Sequence, residues 1–135
     1  MESNAPATRH ISTHIDRSVE EVYKYASDPA RLPEWAAGLS GSIEKVDGKW
    51  IAQSPMGRVV VDFAPENAWG VLDHYVTLES GQTFYNPVRV IADGEGAEVV
   101  FTLRRQPEMT DAEFQRDTDA ITADLAALKT LLERG

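Results

Sequence analysis

The chain has 135 residues, 42% hydrophobic and 26% charged, with 13 Lys and Arg against 22 Asp and Glu for a formal net charge of −9. That length suits one domain around one core, and the acidic balance, with Arg104-Arg105 the densest basic pair, argues against nucleic acid or an anionic membrane as partner. The lack of cysteine excludes disulfides, thiolate catalysis and cysteine-ligated zinc or iron–sulfur centres.

Residues 1 to 8 read as a flexible leader, and 9 to 135 as a single domain. The leader has no apolar segment of the signal-peptide kind, and runs such as Val59-Val60-Val61 fall far short of a membrane span, so a cytoplasmic protein is expected. From Arg9 the pattern alternates, Ile11, Thr13 and Ile15 against His10, Ser12 and His14, which predicts a first strand. Ser18-Val-Glu-Glu21 has the capping-box spacing that satisfies free amides at a helix start, with Val22, Tyr23 and Ala26 as an apolar side. Asp28-Pro29 restarts the chain as a second short helix carrying Leu32 and Trp35, because proline suits the first helical turn.

Beyond Gly38 the period becomes two, and turn signals recur at Asp47-Gly48, Pro55-Met56-Gly57, Pro65-Glu66-Asn67, Glu79-Ser80-Gly81 and Asp93-Gly94-Glu95-Gly96. Six further strands fit between them, near 40–46, 49–54, 58–64, 70–79, 82–92 and 97–105, and their short connections require antiparallel neighbours. Asn86-Pro87 interrupts the sixth of the seven strands, since proline donates nothing to a ladder, so a bulge or bend belongs there. Thr110-Asp-Ala-Glu113 opens a last helix with Phe114, Ile121, Leu125, Leu128 and Leu132 on one stripe and Asp117, Asp119, Asp124 and Lys129 on a solvated side.

This order predicts an α+β fold in which a curved seven-stranded antiparallel sheet wraps around the C-terminal helix. A helix about 10 Å wide is narrower than seven strands about 4.8 Å apart, which leaves room for a cavity between them.

The element order and the segment SVEEVYKYASDPARLPEW, Ser18 to Trp35, resemble the START-like superfamily, also called SRPBCC, over about residues 9 to 134. The resemblance implies a helix-grip fold with space for an apolar or amphipathic small molecule. It does not select a function, because members include carriers, sensors, polyketide cyclases or dehydratases and chaperone activators.

Among the three histidines, His10 and His14 lie on one face of a strand but about 13 Å apart, too far to share a metal ion; no metal and no cofactor is expected. His74 alternates with the apolar set Leu72, Val76 and Leu78 and is expected to face inward. Adjacent Asp73 then points to the opposite face, so the polar partners considered for His74 are Asp62, Asn86 and Arg104. An inward histidine is either a satisfied core residue or a general acid–base, and both readings stand.

The function expected first is binding of a small apolar or amphipathic ligand walled by Trp35, Trp50, Tyr75, Phe84, Val88, Phe101 and Leu125, with His74 and Asn86 orienting it. The alternatives are a cyclase- or dehydratase-like enzyme in which His74 transfers protons, helped by Asp62, Asn86 or Arg104, and a ligand-free interaction module. Self-association is not predicted.

Overall fold

The computed structural model describes residues 8–37, 42–55 and 57–134; most of the leader and the Gly38 turn lie outside this range. The elements are β1 (Thr8–Ile15), α1 (Val19–Ala26), a 3-10 turn (Pro29–Arg31), α2 (Leu32–Trp35), β2 (Ser42–Val46), β3 (Lys49–Ser54), β4 (Gly57–Phe63), β5 (His74–Leu78), β6 (Thr83–Asn86), β7 (Val88–Asp93), β8 (Gly96–Arg104) and α3 (Asp111–Arg134).

Both capping boxes form. Ser18 Oγ accepts from the Glu21 amide at 3.2 Å while Glu21 reaches back to Ser18. Thr110 Oγ1 accepts from the Glu113 amide at 3.1 Å, and Glu113 accepts from the Thr110 amide at 2.8 Å. Each satisfies two amides that the first turn leaves without a partner, and such a cap contributes about 1 kcal/mol.

The strands form two antiparallel sheets in place of the single seven-stranded sheet expected: β1-β8-β7, and β2-β3-β4-β5-β6. The break falls at Pro87, which divides the expected 82–92 strand into β6 and β7 and raises the strand count to eight. The proline's missing donor accounts for the interruption. The sheets stay joined by the segment before β5, where the Leu72 amide donates to Val88 O at 2.8 Å and the Val90 amide to Gly70 O at 2.9 Å. Gly70 takes φ +73°, and a Cβ there would stand 2.3 Å from Val90 O, so only glycine permits this approach.

Asp73 replaces the interrupted ladder. Its Oδ1 accepts from the Val88 amide at 2.9 Å and from Arg89 Nε at 2.9 Å, while Oδ2 accepts from Arg89 Nη2 at 2.7 Å and from the Tyr85 hydroxyl at 2.6 Å. Asp73 is 8% exposed. The bidentate guanidinium contact, with Tyr85 and Val88, holds its carboxyl at about 2, against burial, which acts the other way.

The hydrophobic interior divides with the sheets. The larger cluster joins Ile15, Val22, Ala26, Leu72, Val88, Val90, Ala97, Val99, Leu125 and Leu128, bringing α1 and α3 onto the three-stranded sheet. The smaller cluster buries Leu32, Ala52, Val59 and Val61, with Ile43, Trp50, Phe63, Val76 and Leu78 half-buried around it. Among the described residues, only Trp35 packs against both.

Candidate functional site

Directly opposed residues of antiparallel strands put their side chains on one face. Two such rows cross the five-stranded sheet on its inner side: Phe63, His74 and Asn86, and next to them Val61, Val76 and Phe84. The row between them, Asp62, Tyr75 and Tyr85, faces outward.

His74 sits in the inner row as its alternation predicted. Its ring lies 5.0 Å from the Phe63 ring and 6.4 Å, edge-on, from that of Phe101 on β8. Nδ1 is 3.1 Å from Leu72 O, and a carbonyl only accepts, so Nδ1 carries the proton and Nε2 presents a lone pair. Asn86 Nδ2 stands 3.4 Å from that Nε2 and is oriented to donate to it. Burial lowers the pKa of His74, opposed by the Leu72 carbonyl and the charge of Asp73. The imidazole is therefore a neutral, oriented hydrogen-bond acceptor between two aromatic rings.

The remaining expected site residues scatter. Asp62 is exposed on the outer face, because the sheet turns Val59, Val61 and Phe63 inward and Val60 and Asp62 away. Tyr75 is 47% exposed on that outer side, its ring 4.9 Å from Tyr85. Arg104 is exposed at the end of β8, opposite in sense to buried Leu103. None of the three shares a face with His74. Val88 and Leu125, 4% and 2% exposed, are packed in the larger cluster. Trp35, Trp50, Phe84 and Phe101 are half-buried; Trp50 lies opposite Val61, and Phe84 opposite Val76.

Helix α3 presses Ile121, Leu125, Leu128 and Leu132 into the larger cluster. One flank is tied to β1: Arg9 Nη1 donates to Gln115 and Thr118 at 3.0 Å each, and Lys129 Nζ donates to His14 O at 2.6 Å. The opposite flank carries Asp117 and Asp124, half-buried in place of the solvation expected of them; burial raises the pKa of both, and Asp124 accepts from the Ala37 amide at 3.1 Å. Lys129 also leaves the expected solvated side, through His14 and an ion pair to Glu133 at 2.8 Å. Helix α3 thus leans toward β1, and no residue of it joins the smaller cluster over the five-stranded sheet.

A depression of about 110 Å³ opens beside this site, lined by Tyr23, Ser27, Phe63, Ala64, Glu66 and Leu72. It touches the residue that stacks on His74 and the residue whose carbonyl holds it. A wider, more open one of about 650 Å³ lies at the far end of α3, among Arg9, Arg105, Asp111 and Phe114. His10 and His14 are exposed and bonded to Thr102 and Asp93 at 3.1 and 2.8 Å.

A long helix gripped by curved antiparallel strands, with two short helical pieces after the first strand, has many solved counterparts. The protein XoxI from Bacillus cereus superposes with a TM-score of 0.71 at 16% identity, covering 93% of this chain and 95% of that one. Ara h 8.0201 gives 0.71 at 15% identity over 97% and 100%. This is the helix-grip fold. Truncated norcoclaurine synthase from Thalictrum flavum shares it as well, with a TM-score of 0.64 at 13% identity over 100% and 99%. At these identities the likeness is one of fold. Neither a protein-family model nor a curated protein matches the sequence. Among the described residues, no helix is long and apolar enough to cross a membrane.

Proposed function

We propose that the chain binds a small apolar or amphipathic molecule against the inner face of the five-stranded sheet, beside His74. The observation that carries this reading is the unequal cover of the two sheets. Side chains of α3 fill the concavity of β1-β8-β7, whereas Trp50, Phe63, Val76, Leu78 and Phe84 stay half-buried, and among the described residues Leu32 and Trp35 of α2 are the helical side chains that join the smaller cluster. An apolar wall interrupted by one oriented acceptor and one amide is the composition of a ligand site. The depression next to Phe63, about 110 Å³, is on the scale of one aromatic ring, given that a dry cavity of about 150 Å³ holds benzene.

Naphthalene, followed by its own fluorescence, is a suitable probe. Wild type should bind it, and Val76→Trp, which fills the inner wall, should bind at least about tenfold more weakly, as expected when a pocket lined by apolar side chains is occluded. Equal binding by both proteins, with circular dichroism showing both folded, would overturn the proposal.

The geometry of His74 favours one second reading, proton abstraction next to a ligand carbonyl. A neutral imidazole with its tautomer fixed by Leu72 O is suited to act as a general base. In deuterated water the acetyl protons of 2-acetylnaphthalene should then exchange about 10² to 10⁴ times faster with wild type than with His74→Gln. Exchange no faster than without protein removes this reading and leaves the binding reading in place.

A further inference from the structure

Trp35 ends α2 and is, among the described residues, the one whose side chain packs against both clusters. Its indole Nε1–H is buried and has no acceptor among the described residues. Burying such a donor unpaired costs about 1–3 kcal/mol, and buried tryptophan N–H groups ordinarily find a partner. A phenylalanine would fill an apolar position without that cost.

The acceptors nearest along the chain are engaged elsewhere. Glu34 accepts from the Tyr25 hydroxyl and pairs with Arg31. Asp124, facing this side from α3, accepts from the Ala37 amide. Among the described residues no group is placed to satisfy the indole, yet the ring is held on one side by the larger cluster and on the other by the half-buried wall of the five-stranded sheet.

We infer that Trp35 Nε1–H is the donor that positions a ligand oxygen, and that the ligand class is an apolar molecule bearing a carbonyl. This rests on the binding reading above and adds what the ligand must carry. The carbonyl oxygen accepts from Trp35 Nε1–H, while His74 Nε2 keeps Asn86 Nδ2 as its donor and contributes its ring to the wall. A hydrocarbon of the same shape leaves the indole N–H unpaired and gains only from burial.

The test compares naphthalene with 2-acetylnaphthalene on wild type and Trp35→Phe. Loss of one neutral hydrogen bond should weaken 2-acetylnaphthalene about 5- to 10-fold in the variant and leave naphthalene within about twofold. In 15N-labelled wild type, the Trp35 indole resonance, assigned by its loss in Trp35→Phe, should move downfield with 2-acetylnaphthalene and not with naphthalene. Equal weakening of both ligands, or an indole resonance indifferent to the carbonyl, overturns the inference alone, the second outcome being that of a water already serving the donor. Should wild type bind neither compound, the binding reading fails and this inference with it. If Trp35→Phe is unfolded, the resonance is assigned by elimination with Trp50→Phe and Trp69→Phe, and its wild-type response decides.

Discussion

The two sheets of this protein share one chain and one antiparallel meander, but their inner faces meet different fates. Over β1-β8-β7 the helices α1 and α3 close a core in which Ile15, Val22, Ala97, Val99 and Leu128 are at most 0% exposed. Over β2–β6 most of the inward side chains are only half-buried, and His74 is among them. The difference follows from where α3 is anchored. Its contacts through Arg9, His14 and Asp16 to Gln115, Thr118, Lys129 and Glu133 draw it to the β1 edge, and one helix cannot also cover five more strands. Stability thus resides chiefly in the smaller sheet, and the binding proposed above belongs to the larger.

The largest effect should separate those halves directly. Leu128→Ala, in the packed half, should lose about 3–5 kcal/mol in urea unfolding, whereas Leu78→Ala should lose about 1–2 kcal/mol, because a cavity costs most where the surroundings are already close-packed. Equal losses would mean that the two halves are equally filled.

Asp73 marks the boundary and should come next. Asp73→Asn leaves Arg89 without its charge partner and should lose about 2–3 kcal/mol. In the wild type the folded carboxyl lies at about 2, below its unfolded value of about 3.9. The unfolded chain therefore takes up the proton first as pH falls, and the stabilisation, full above about pH 4, is lost as pH drops toward about 2. An acid-unfolding curve with the same slope in Asp73→Asn as in wild type would refute this.

His74 has the same sign of linkage, although here the form that folding favours is the neutral one. Burial lowers its folded pKa, so the unfolded chain binds the proton more readily below about pH 6.5, and stability falls as pH drops through that point. Replacing it by Gln should flatten that limb, and an NMR titration of the ring should show the neutral Nδ1–H form persisting below pH 6.5. A ring that titrates at its ordinary value would place it in solvent, not between Phe63 and Phe101. The smallest effect expected is that of Ser18→Ala, about 1 kcal/mol through the capping box, remote from both inner faces. A change above about 2 kcal/mol would mean that α1 does more than close the smaller sheet's core.

Much of the outline was readable because it rests on local rules. Ser18 and Thr110 sit at capping-box spacings, and Asn86-Pro87 breaks a strand wherever it occurs. His74 inherits its inward direction from apolar neighbours two residues away on either side. Asp62 went astray for a reason of register, whereas Tyr75 had only to follow from its place next to inward His74. Val59 to Ala64 offers two alternating sets of apolar residues, and choosing between Val60-Asp62-Ala64 and Val59-Val61-Phe63 flips every side chain to the other face. Asp73 was passed over because it stands beside His74 and must point away from it. The available signal was its diagonal relation to Arg89 across the Glu79-Ser80-Gly81 hairpin, where opposite charges pair.

By itself the sequence determined the elements, their antiparallel order and the amphipathic final helix, since each depends on contacts within a few residues. Asn86-Pro87 marked an interruption locally, but the tertiary structure alone decided that it separates two sheets and that Asp73 bridges the gap. It also decided that α3 lies toward β1, and that the Trp35 donor is buried with no acceptor among the described residues. Those four outcomes depend on which groups from distant parts of the chain compete for the same space and the same hydrogen bonds, and no local pattern encodes the result of that competition.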